Sequence, residues 1–229
     1  MKTLMERAAA AKAAAAEVAQ LSTETKNKAL LAMADALEAH MAEILAANAA
    51  DMDRERANGM SPDMLDRLML NEGRVRDMAV GLRQVAKLPD PIGEVISEWD
   101  RPNGLHIKKV RVPMGVIGII YEARPNVTVD AASLAFKAGS AILLRGSGSA
   151  YESNAAEVRV MRAALESVGV TPDAVCLVAE RGHDVVDKML TLREYIDLII
   201  PRGSARLINN AVNKATVPIL QTGTGNCHV

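Results

Sequence analysis

A chain of 229 residues with 49% hydrophobic and 24% charged residues has room for one large domain with a sizeable core, and a chain of this size buries roughly 70–75% of its extended-chain surface. Only 2% of the residues are aromatic, so the core rests on Ala, Val, Ile, Leu and 12 Met, and an aromatic platform for sugars or single-stranded nucleic acid is excluded. A net charge of −1 sets up no global field, which argues against nucleic-acid and acidic-membrane partners and leaves any anion site to local chemistry.

No apolar run approaches the ~20 residues of a membrane span. The Ala-rich start carries Glu6, Arg7, Lys12 and Glu17, unlike a signal-peptide core, so a cytoplasmic location is expected. Two cysteines, Cys176 and Cys227, and histidines scattered at 40, 106, 183 and 228 match no disulfide framework and no zinc spacing, and no metal site is expected.

In chain order, residues 2–20 predict one Ala-rich helix. Ser22 or Thr23 caps a second, with Leu30, Met33, Leu37, Ile44 and Leu45 on one face, which ends at Asn58-Gly59. Ser61-Pro62 opens a third, and Val75, Met78, Ala79, Leu82, Val85 and Ala86 write a fourth that Pro89 and Pro91 stop. These stripes read as helix packing. Residues 94–99 and 105–112 are strand-like, and Asn103-Gly104 between them marks a hairpin whose mixed edge is open to another subunit.

From Val116 the pattern alternates. Val116–Tyr121, Ala141–Leu144, Ala174–Val178, Ile196–Ile200 and Val217–Leu220 are apolar strand runs with helical spacing between them, and Gly139 and Gly169 stand where left-handed helix caps belong. The expected fold is therefore α/β: N-terminal helices (1–90) and a β-hairpin (91–112), followed by a doubly wound parallel five-stranded sheet (113–229). Ligands of such sheets bind beyond the carboxyl ends of the strands. The loops there are residues 122–126, 145–149, 179–183, 201–204 and 221–226; four contain Gly and three of those pair it with Arg. Arg145-Gly146-Ser147-Gly148-Ser149 runs into a helix with Ser149 and Glu152 at capping-box spacing, an arrangement that suits a phosphate. A phosphorylated ligand, most simply a nucleotide cofactor, is the functional expectation; a plain tight turn is the alternative.

Four strings carry a more specific resemblance: residues 112–128 (Val-Pro-Met-Gly-Val-Ile-Gly-Ile-Ile-Tyr-Glu-Ala-Arg-Pro-Asn-Val-Thr), 136–146, 196–203 and 222–229. They resemble the γ-glutamyl phosphate reductases of the aldehyde dehydrogenase superfamily, and the likeness extends over the whole chain. The resemblance implies an aldehyde dehydrogenase-like fold with a Rossmann-type NADPH-binding core at 113–229. It also implies NADPH-dependent reduction of γ-glutamyl phosphate to the semialdehyde in proline synthesis, and a homo-oligomer at full length.

Residue by residue, the resemblance places Arg145 at the adenosine ribose, where a guanidinium favours NADPH over NADH. Gly146, Ser147 and Gly148 fall in the loop approaching that ribose, and Gly203 and Ser204 near the pyrophosphate. Arg124 and Asn126 fall at the acyl phosphate, one for the leaving phosphate and one for a developing oxyanion; simple capping of the next helix by Pro125 and Asn126 is the other reading. The family's nucleophilic cysteine is expected beyond Val229, so no catalytic residue and no catalytic domain is expected within this stretch, and little activity from it alone. Cys227 belongs to the cofactor half and Cys176 to the core. Gln221 stands where hydrolytic members keep a general-base Glu, which suits a reduction that must avoid water. A non-catalytic nucleotide-binding or oligomerisation module, and a related acyl-phosphate or semialdehyde reductase, remain as alternatives.

Overall fold

The computed structural model describes residues 2–180 and 182–221. Its first five helices are α1 (Leu4–Val18), α2 (Thr23–Ala39), α3 (Met41–Ala57), α4 (Pro62–Leu68) and α5 (Glu72–Lys87). Local chemistry sets their starts. Thr3 and Glu6 form a capping box on α1, the Ser22 hydroxyl accepts from the Thr25 amide, and Pro62 occupies the first turn of α4. The single helix expected from Thr23 to Ala57 is instead two, broken at His40 (φ −102°, ψ 20°). The break has a packing reason. A straight helix of that length would run roughly 50 Å, whereas the turn at His40 aims Ile44, Asn48, Asp51 and Met52 at a separate target deeper in the fold.

A two-stranded antiparallel ribbon follows: β1 (Val95–Asp100) and β2 (His106–Val110), with Glu98 opposite Lys108 and Trp99 opposite Ile107. It leaves Val95, Ile96, Trp99, Leu105 and Val110 exposed.

The central sheet consists of β3 (Val116–Tyr121), β4 (Ala141–Arg145), β5 (Val175–Leu177) and β6 (Leu198–Arg202), all parallel, in the order β5-β4-β3-β6. Connecting helices are α6 (Asn126–Lys137), α7 (Tyr151–Ser167) and α8 (His183–Thr191), and α9 (Ala205–Lys214) comes after β6. The sheet has four strands among the described residues, not the five expected. Residues 217–220 make one parallel bridge, Ile199 to Ile219, because Pro218 has no amide hydrogen and can only accept, from Ile199 N at 2.8 Å.

Both faces are covered, as a parallel sheet requires. Ile117, Ile119, Tyr121, Ile142 and Leu144 face α2, α5, α6 and α7, whereas Val116, Ile120, Leu143, Cys176 and Ile199 face α1, α8 and α9. The chain steps β3, β4, β5 in one direction and then returns past β3 to β6, so right-handed crossovers put α8 on the opposite face from α6 and α7. The loops leaving β3 and β6 therefore diverge, and a crevice opens between them.

Candidate functional site

The crevice begins where β3 ends. Buried Tyr121 is followed by a tight turn in which the Arg124 amide donates to Glu122 O at 2.7 Å and the Val127 amide to Arg124 O at 3.1 Å. This turn exposes Arg124 and starts α6 at Asn126. Neither Pro125 nor Asn126 caps α6 through a side chain; the Asn126 amide instead donates to Asp130 Oδ2 at 3.2 Å. Burial raises the Asp130 pKa above the usual range, against the pull of Asn126 and Arg202.

Two cavities meet at this turn. The larger, about 610 Å³, lies between the α4–α5 segment and the turn, and both Arg124 and Asn126 line it. The smaller, about 270 Å³, sits between the loops of β3 and β6 and is lined by Tyr121, Glu122, Arg202 and Gly203 among others. Arg67 and Arg124 line both. Beside the smaller cavity, the Ser204 amide donates to Glu122 Oε1 at 3.0 Å, and a Cβ on Gly203 would lie 2.6 Å from Glu122 Cδ, so a side chain there would displace the Glu122 carboxylate.

The loop between β4 and α7 is built differently. A Cβ on Gly146 would lie 2.3 Å from Asn154 Nδ2 and 3.0 Å from Tyr121 Cζ, whereas Gly148 faces open space. Ser147 Oγ accepts from the Ser149 amide at 3.3 Å in a short 3₁₀ turn over 148–150. The capping box expected from Ser149 and Glu152 is not formed, because α7 starts one residue later than that box needs and Ala150 occupies its cap position. The cap comes from α3. Asp51, fully buried, accepts from Ser153 N at 2.8 Å, Ser153 Oγ at 2.7 Å and Glu152 N at 3.3 Å. Arg54 bonds Asp51 at 2.6 Å and the carbonyls of Gly148 and Ser149 at 3.1 and 3.0 Å. Asn48, one turn earlier, ties Ser153 to the backbone of Leu68 and Leu70 in the wall of the larger cavity.

Arg145 closes the base of this loop. Its guanidinium donates to the carbonyls of Gly146 and Gly182, the latter at 3.2 Å, while its buried Nε has no partner. Burial lowers its pKa, against the attraction of Tyr121 and Asp184. Behind the loop, Tyr121 Oη, Thr128 Oγ1 and Asn154 Oδ1 form a buried chain with links of 2.7 and 3.0 Å. Glu157, fully buried alongside, has neither carboxyl oxygen hydrogen-bonded; burial, with Asp130 and Asp51 nearby, pushes its pKa well above the carboxylate range despite Thr128.

The six expected cofactor residues thus fall at the ends of β4 (Arg145–Gly148) and β6 (Gly203, Ser204), and the expected substrate pair at the end of β3 between them. Cys176 is buried in β5, where burial raises its thiol pKa, and it is a core residue. Cys227 and residues 222–226 lie outside the described residues. Sequence reasoning missed Arg67, Asp77 and Arg202 in the cavity walls, and Asp51 and Arg54 behind the loop. Arg202 lies in a loop already marked as cationic; Asp77 and Arg67 look like any solvated helix face, and Asp51 carries no local signal. Among the described residues no cluster of His, Cys, Asp and Glu is arranged to hold a metal, and no helix is long and apolar enough to cross a membrane.

The model of the aldehyde dehydrogenase family matches residues 2–225. The γ-glutamyl phosphate reductase of Anoxybacillus flavithermus is 52% identical over 229 residues, all of this chain and 55% of its own length. The crystal structure of the Thermotoga maritima γ-glutamyl phosphate reductase superposes with a TM-score of 0.96 at 43% identity, covering 99% of this chain and 55% of that one. That of Saccharomyces cerevisiae gives a TM-score of 0.88 at 29% identity over 98% of this chain and 57% of that one. The chain spans about half the length of these relatives.

Proposed function

This chain belongs to the aldehyde dehydrogenase family, and on that premise we propose that it is the cofactor-binding portion of an NADPH-dependent γ-glutamyl phosphate reductase. The reaction converts the acyl phosphate to glutamate 5-semialdehyde with release of phosphate, in proline biosynthesis in the cytoplasm. A cysteine thiolate from outside residues 1–229 attacks the acyl carbon, phosphate leaves, and the thioester is reduced to the aldehyde with return of the thiolate. NADPH supplies the hydride.

The observation that carries this reading is the β4–α7 loop: a turn that excludes a side chain at Gly146, held from behind by Asp51 and Arg54, with a guanidinium at its base whose buried Nε lacks a partner. Such a loop fits a phosphorylated nucleotide. Arg145 meets the 2′-phosphate, Gly146, Ser147 and Gly148 let backbone approach the ribose, and Gly203 and Ser204 lie by the pyrophosphate. Arg124, with no side-chain partner among the described residues, neutralises the leaving phosphate, and the Asn126 amide donates to the oxyanion. The exposed apolar residues of the β1–β2 ribbon contribute a subunit contact in the full-length homo-oligomer.

Fluorescence titration of the chain with NADPH and NADH, repeated on Arg145→Ala, tests the cofactor assignment. Saturable binding that prefers NADPH and weakens by about 1.5–3 kcal/mol in the variant is the expected result. Equal affinity for the two nucleotides removes Arg145 from the 2′-phosphate.

A further inference from the structure

We infer that the larger cavity selects the α-amino-acid head of the substrate, with Asp77 taking the ammonium group and Arg67 the α-carboxylate. The inference rests on the reductase reading above, whose substrate carries both groups, and it names the residues that distinguish that substrate from simpler aldehydes.

The argument is a census of partners. Of the charged groups lining the 610 Å³ cavity, Arg74 is held by Asp66 Oδ1 at 3.0 Å and by the Met69 carbonyl at 2.7 Å, and Asp130 accepts from Asn126. Two groups on the α4–α5 side of the wall are not satisfied by the protein. Among the described residues Arg67 touches only the thioether of Met64, at 4.0 Å, and Asp77 makes no hydrogen bond or ion pair. They are opposite in sign and no ion pair joins them. Met69, Leu70 and Met78 supply apolar wall between the charges, suited to a short methylene chain.

Arg124 and Asn126, the groups assigned to the reacting end, line the same cavity from the β3–α6 turn, and both Arg124 and Arg67 continue into the smaller cavity with Arg202. The site thus offers Arg124 and Arg202 for phosphate and, from the α4–α5 side, Arg67 and Asp77 as a cation and an anion. That pattern complements a chain with an acyl phosphate at one end and a zwitterionic amino acid at the other. A wall built to pair both charges rejects an analogue lacking either, because the matching protein group is then desolvated without a partner.

The test uses the reductase at the full length of its relatives, assayed for NADP⁺- and phosphate-dependent oxidation of three aldehydes. L-Glutamate 5-semialdehyde carries both head groups, 5-oxopentanoate lacks the ammonium, and 4-aminobutanal lacks the carboxylate. Asp77→Asn is expected to reduce the preference for the semialdehyde over 5-oxopentanoate by roughly 10- to 100-fold, through KM and with kcat retained. Arg67→Gln is expected to do the same to the preference over 4-aminobutanal. If the unmodified enzyme does not oxidise the semialdehyde, the reductase reading and this inference fall together. If it does, any other pattern in the two variants, including equal losses on all three aldehydes, overturns the head-group assignment alone. Unchanged circular dichroism melting curves establish that these exposed isosteric or near-isosteric changes leave the fold intact.

Discussion

The two halves of the ligand edge are prepared in opposite ways. The β4–α7 loop is held by groups that are already satisfied: a buried carboxylate, a guanidinium on two carbonyls, and a glycine pressed against Asn154 and Tyr121. The cavities beside β3 include among their lining four charges with no ion-pair partner among the described residues, Arg67, Asp77, Arg124 and Arg202. The first region has its geometry fixed before any ligand arrives. The second presents solvent-exposed charges that a ligand of matching charge can engage. Rigid backbone contacts suit a cofactor common to a whole family, whereas exposed side chains suit the discrimination of one substrate from another.

Removing Asp51 breaks that comparison most severely. Asp51→Ala strips the cap from α7 and leaves Arg54 with Glu55 as its one carboxylate partner, at an expected cost of about 3 kcal/mol. Differential scanning calorimetry should show the midpoint falling by roughly 6–12 °C. Next comes Gly146→Ala, expected to cost about 2 kcal/mol through overpacking against Asn154 and Tyr121. Gly148→Ala, facing open space, should stay within about 0.5 kcal/mol by the same calorimetry. Equal effects at the two glycines would dissolve the claim that the loop is held from behind.

Glu157 gives the pH dependence. Its folded-state pKa lies above its unfolded value, so the folded chain binds the extra proton and the contribution to stability is largest at low pH. That contribution is lost as pH rises above roughly 4.3, the unfolded value. Measured against Glu157→Gln from pH 5 to 8, the wild type should lose stability with rising pH, with a difference slope no steeper than about 1.4 kcal/mol per pH unit. The smallest effect is expected on the substrate side. Asp77→Asn and Arg67→Gln should each change stability by less than about 0.5 kcal/mol, because neither charge has a protein partner whose loss would count.

How far the sequence anticipates this arrangement depends on the range of the interaction. Gly139 and Gly169 adopt the left-handed conformation expected of helix caps, at φ +69° and +78°, because that requirement is local. The buried strands β3 and β4 and the order of helices and strands follow from apolar runs and helical spacing; the loops at the ends of β4 and β6 pair Arg with Gly as expected, and the β3 loop carries Arg124 without a glycine. Three features escape such reading. The break at His40 is imposed by what α3 packs against. The last strand shrinks to one bridge around Pro218. Asp51 caps a helix about a hundred residues later, and Ser149 with Glu152 gives a plausible local alternative that tertiary packing overrides.

That remote cap also has a bearing on how the chain acquires its shape in time. Asp51 leaves the ribosome 101 residues before Glu152, so α3 must wait through the synthesis of the ribbon, β3, α6 and β4 before its carboxylate finds the amides it serves. Contacts of such separation carry the full entropy of closing a long loop and form late. The first turn of α7 and the loop in front of it are therefore expected to become ordered only once the N-terminal helices have docked.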